Sequence, residues 1–155
     1  MADDGRADVY AAEVAAFEGT TFEEITPLDE LVQLASQLCA AGWWPHGHIA
    51  VVGARSDASS SSTRQHGGGP PVVRLAAPQM TPATLVHELA HVLAGVSAGH
   101  GPLFRQAYVD LASAAFGAEP SSWLAAQFDS FGLGRAQRRW EVPPADDDPP
   151  RVIAL

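Results

Sequence analysis

Apolar residues recur along this chain at two different spacings, and the spacings divide it into elements. Leu28, Leu31, Val32, Ala35, Leu38 and Cys39 return every three or four residues, the period of one helix face. Thr26 is the candidate cap and Pro27 the first helical position, and the helix should stop near Gly42. Residues 8–18 repeat the pattern more loosely through Val9, Val14 and Phe17 and predict a shorter helix. Two brief β-prone runs follow, 47–55 with Ile49, Val51 and Val52, and 71–77 with Val72, Val73 and Leu75. Thr81 and Pro82 then open a second capped helix, whose stripe is Leu85, Val86, Leu89, Val92, Leu93 and Val96 and which should end near Gly95. Gly101 and Pro102 introduce another, with Leu103, Phe104, Ala107, Tyr108, Leu111 and Ala115 on one face. Ser121 or Ser122 should cap a last helix through Trp123, Leu124 and Phe128.

The intervening segments are polar. Residues 56–70 are a serine run, then Arg64, Gln65 and His66, then three glycines, which predicts a long mobile hairpin connection between the two strands. From Val142 the chain is rich in Pro and Asp and reads as a solvated tail over 142–155. The expectation is one domain over 1–141, of α+β class: a small antiparallel sheet packed on the helix that begins at Pro82, with helices before and after.

Charge narrows the partners. The 155 residues carry nine arginines and no lysine against 18 acidic residues, a formal charge of −9. Nucleic acid and anionic membranes are polyanions that such a chain repels, so neither is expected as a partner. Cys39 has no second cysteine with which to pair, and its place on an apolar stripe predicts a buried structural thiol. The acidic start lacks the basic region and apolar run of a signal peptide, and no apolar run reaches spanning length; a soluble cytoplasmic protein is expected.

The candidate chemistry lies in the second capped helix, where His87, Glu88, Leu89, Ala90 and His91 form an H-E-x-x-H pattern. At about 100° per residue, positions four apart share a helix face, so both imidazoles can reach one zinc ion at roughly 2.0–2.1 Å. Glu88, one residue on, approaches the water on that zinc, as a general base must. Zinc lowers the pKa of its water to about 7 and polarises a carbonyl, and Glu88 carries the proton to the leaving group. Catalytic zinc generally has three protein ligands. His100 is the leading candidate for the third, since Gly95 and Gly99 let the chain leave the helix and return; Asp110 and Glu119 are the alternatives. A helix with His and Glu needs no metal, but here the motif sits in a capped amphipathic helix and is followed by a third His.

His87 to His91, eight intervening residues, and then His100, Gly101, Pro102, Leu103 and Phe104 resemble the small SprT-like and WLM-like zincins, whose third His also precedes a helix bearing an aromatic. The arrangement is most similar to a family of small actinobacterial metallohydrolases of this length. The match covers about residues 81–111, joined by the segment from Val9 to Glu13. It implies a zincin-like fold, His87, His91 and His100 as ligands and Glu88 as base. No Cys pair provides the zinc ribbon of DNA-linked SprT-like proteases, no Met follows Met80 to form a Met-turn, and no Glu-x-x-Ala-Asn follows as in repressor-cleaving phage-type peptidases.

The expected function is zinc-dependent hydrolysis, of a peptide bond or of a small amide or ester. The alternative of another class is a non-catalytic domain that zinc only staples. The second strand, Val72 to Ala77, stands where zincins offer an edge to an extended peptide. Tyr108 or Arg105 is weighed as an oxyanion donor against a packed Tyr and a solvated Arg, and the second reading is preferred. His46, His48 and His66 are read as surface residues, and the four tryptophans as core or tail anchors. The serine-rich segment is read as disordered in preference to a gate over the cleft.

Overall fold

A computed structural model describes residues 5–144, and the expected tail lies outside them from residue 145 on. Among the described residues are five α-helices and three strands: α1 (Arg6–Phe17), α2 (Leu28–Ala40), β1 (Ala50–Gly53), β2 (Ser62–Arg64), β3 (Val72–Leu75), α3 (Pro82–Ala94), α4 (Pro102–Phe116) and α5 (Ala118–Ser130). The α+β class stands. Helix α3 is the spine: ten of its thirteen residues are buried, and it packs against α2, α4, β2 and β3. Thr81 caps it as the sequence suggested, accepting from the Thr84 amide at 3.1 Å, with Pro82 following. Helices α4 and α5 pack side by side, and α1 lies on α5.

Three expectations about helix starts and strand pairing are corrected. Thr26 does not cap α2: Pro27 holds that position, the Thr26 hydroxyl donates to Glu24 O at 2.9 Å and its amide to Met80 O at 2.8 Å. Neither Ser121 nor Ser122 caps α5, because Gly117, at φ 102°, breaks the chain four residues earlier and the helix starts at Ala118. The sheet is mixed, not antiparallel: β1 and β3 run parallel, with β2 antiparallel on the far side of β3.

The reason lies in the connection. Parallel neighbours need a crossover of about a dozen residues or more, and residues 54–71 are long enough for one, whereas a hairpin needs only a few. The segment expected to be a mobile hairpin loop is that crossover, and it carries β2. Ser61 ties it down, its amide donating to Gln79 Oε1 at 2.6 Å and its hydroxyl accepting from the Ala76 amide at 2.9 Å. Val72 to Leu75 is therefore the central strand, and the edge beside α3 belongs to β2.

One apolar core joins Val9 and Phe17 of α1, Leu31, Leu34 and Leu38 of α2, the inward residues Val51, Val73 and Leu75 of the sheet, and the buried faces of α3, α4 and α5. Trp43, Trp44 and Trp140 join it, while Trp123 is exposed. Cys39 packs against the core, and burial pushes its thiol up to about 11, as suits a structural cysteine. Among the described residues no helix is long and apolar enough to cross a membrane.

Candidate metal centre

Helix α3 supplies two of the three histidines and the loop before α4 supplies the third. His87 and His91 are four residues apart, one turn along the same face. Gly95 and Gly99, at φ 96° and 59°, take up backbone conformations closed to most side chains, and the chain between them turns back to bring His100 over the helix. Arg105 fixes that return: it is buried, and its Nη1 donates to His100 O at 3.2 Å while its Nε donates to Gly134 O at 2.8 Å. It is neither solvated nor an oxyanion donor, but a brace for the loop.

The histidine nitrogens converge. One ring nitrogen from each of His87, His91 and His100 lies within 4.8 Å of the others, and the Nε2 atoms of His87 and His100 are 3.2 Å apart. Two nitrogens bound at 2.0–2.1 Å to one tetrahedral ion stand about 3.3 Å apart, so the spacing fits a shared metal. At most one proton can sit between two such nitrogens, whereas one cation satisfies both lone pairs. Phe104 forms the floor, its ring centroid 5.0, 4.4 and 4.9 Å from those of His87, His91 and His100.

Behind His87 stands a carboxylate. Glu13 of α1 is buried, its Oε2 accepts from His87 Nδ1 at 3.3 Å, and its Oε1 accepts from the Tyr108 hydroxyl. This bond puts the His87 proton on Nδ1 and leaves Nε2 to bind, the usual service of a carboxylate to a metal-binding imidazole. Burial pulls the His87 pKa down, yet the charge and hydrogen bond of Glu13, with Glu88 beside it, outweigh this and hold it above the ordinary value. Burial and Glu13 raise the Tyr108 phenol well above its usual range, so it remains a neutral donor. Tyr108 is fully buried and committed to Glu13 and Ala83 O, which fits the packed reading and excludes an oxyanion role. Glu13 is one residue that sequence reasoning missed as a site member. The only signal was its place in the α1 segment of the resemblance.

Glu88 turns toward the same point. Its Oε2 is 4.0 Å from His87 Nε2, close to the histidine cluster without joining it, and its Oε1 accepts from Thr63 of β2 at 2.8 Å. Burial raises its pKa; the neighbouring His87 and the Thr63 hydroxyl work against the rise, and Glu13 adds to it. His87 and Glu88 open onto a cleft of about 260 Å³, whose wall includes Arg6, Tyr10, Ser61 and Thr84. Tyr10, 39 % exposed, lies flat on His87 with centroids 5.4 Å apart and planes within 7°, and its ring is 5.5 Å from that of His100. Burial raises its phenol pKa, which Arg6 partly offsets.

The alternative ligands lie elsewhere. The Asp110 carboxylate is closed by Gln106, Arg138 and Trp140, and Glu119 is exposed in the first turn of α5. His46, His48 and His66 are exposed and belong to no histidine cluster among the described residues. Compared with known protein families, curated proteins and solved structures, the chain matches none.

Proposed function

We propose that this chain is a zinc-dependent hydrolase of zincin-like fold acting on peptide bonds, with His87, His91 and His100 as ligands and Glu88 as general base. The observation that carries the reading is the 3.2 Å approach of the His87 and His100 Nε2 atoms beside a buried carboxylate on the neighbouring residue. A site that only stapled the fold would more often be closed by a fourth protein ligand and would have no use for Glu88.

Zinc, when bound, supplies a Lewis acid that polarises a carbonyl and makes water acidic enough to attack at neutral pH. The chain's own groups do the rest. Glu88 takes a proton from the attacking water and delivers it to the departing amine, a shuttle that contributes about 10²–10⁴-fold in rate. Thr63 holds the carboxylate in position through Oε1 and leaves Oε2 facing the histidines. Tyr10, on the cleft wall against His87, is the candidate donor to the carbonyl oxygen as negative charge builds there. Glu13 and Tyr108 set the tautomer of His87 from behind. A peptide is favoured over a small amide because β2 is an edge strand, and its Thr63 already touches the base.

The test replaces Glu88 with Gln and assays the zinc-loaded protein on a pool of fluorogenic peptides. The expected result is full zinc content and a fall in turnover of at least about a hundredfold, the lower end for a lost general base. Full activity in the variant would remove Glu88 from its role. Zinc binding by a wild type that cleaves no amide or ester would favour the stapled domain.

A further inference from the structure

The two faces of the sheet differ in chemistry. Val51, Val73 and Leu75 point inward and are buried, and Thr63 points inward to Glu88. The alternate positions Ala50, Val52, Arg64 and Arg74 point outward and are exposed. Register places Ser62 opposite Arg74 and Arg64 opposite Val72, so both arginines stand on one face of the paired strands. Arg55, just beyond β1, and His66, just beyond β2, join them around a concavity of about 670 Å³. Arg55 is engaged by Asp57 at 3.5 Å, and among the described residues neither Arg64 nor Arg74 has an ion pair. A third of the nine arginines of a chain with charge −9 are thus gathered on one face of a three-stranded sheet, and one of them is on the strand whose Thr63 donates to Glu88.

We propose that this face selects the substrate: the enzyme binds an extended peptide along the free edge of β2 and prefers acidic side chains at alternate positions. The proposal rests on the peptidase reading and adds its specificity. A peptide added to β2 lies about 4.8 Å from it, with successive side chains on opposite faces of the sheet. Those on the outer face stand directly beside Ser62 and Arg64, within reach of Arg74. Those on the inner face meet the cleft, where Glu13, Glu23 and Glu88 disfavour a further carboxylate. Acidic residues are therefore favoured at every second position, and basic ones on the outer face meet like charge.

The experiment uses the zinc-loaded full chain carrying Glu88→Gln, so that binding is read without turnover, and three fluorescein-labelled peptides with alternating Glu-Ala, Gln-Ala or Lys-Ala sequence. Fluorescence anisotropy should show the Glu-Ala peptide bound roughly tenfold more tightly than Gln-Ala at low salt, with the gap narrowing as salt screens the exposed arginines. Adding Arg64→Glu and Arg74→Glu should reverse the order in favour of Lys-Ala, a gain that misfolding cannot produce. A Glu-Ala preference untouched by the double reversal, or no preference at all, would overturn the proposal. The wild type separates the two claims. Equal binding and equal cleavage of all three peptides would keep the peptidase reading and remove the basic face as selector. Reversible acidic preference without cleavage of any peptide would support the surface as a recognition site and remove the peptidase reading.

Discussion

Two buried polar clusters are built on or beside α4, and their difference separates a site from a strut. Asp110, two turns into the helix, receives Arg138 Nε and Nη2 at 2.7 and 2.9 Å, Trp140 Nε1 at 2.8 Å and Gln106 Nε2 at 3.0 Å. Its carboxylate is saturated, and the cluster fastens the irregular C-terminal segment to the helix. The histidine cluster before the same helix is arranged oppositely: Glu13 fixes the outer nitrogen of His87, and one ring nitrogen from each of the three histidines converges on the others. A saturated buried network stabilises, whereas converging ring nitrogens are an arrangement that a shared cation can satisfy.

The comparison can be broken from either side. Replacing Asp110 with Ala should cost about 2–3 kcal/mol, less than the full penalty for breaking a buried ion pair because Arg138 keeps part of its solvent. Zinc content should not change. Denaturant unfolding and metal analysis of the same sample check both halves, and loss of zinc in this variant would return Asp110 to the ligand set. A smaller effect is expected at the other cluster from Glu13→Gln, which removes the charge behind His87 while keeping a side chain of the same size. Competition with a chelator of known affinity should show zinc held roughly tenfold less tightly, the low end for loss of a group that orients a ligand. Unchanged affinity would reduce Glu13 to a core residue.

The same contrast explains what could be read from the sequence. Helix α3 and its two histidines were legible because one local pattern carried everything: a capping Thr, a following Pro, an apolar stripe and two histidines one turn apart. His100 was legible through the glycines that return the chain. Strand β2 was not, since Ser62, Thr63 and Arg64 include no apolar residue; pairing with β3 and the bond from Thr63 to Glu88 hold it. Its absence from the reading made the sheet antiparallel and gave the edge to the wrong strand. Glu13 was hidden for a different reason: it reaches His87 across 74 residues, and no period within α1 marks it as other than a solvated acid. Arg105 and Tyr108 were assigned by residue type, and their long-range partners decided what they do.

The central claim is that three histidines share one zinc ion, and the most direct test is elemental mass spectrometry on protein purified without chelator, beside His87→Ala and His100→Ala. The account predicts one equivalent of zinc in the wild type and its loss in both variants, with the fold retained by circular dichroism. A wild type that carries no metal and takes up none when zinc is added would contradict it.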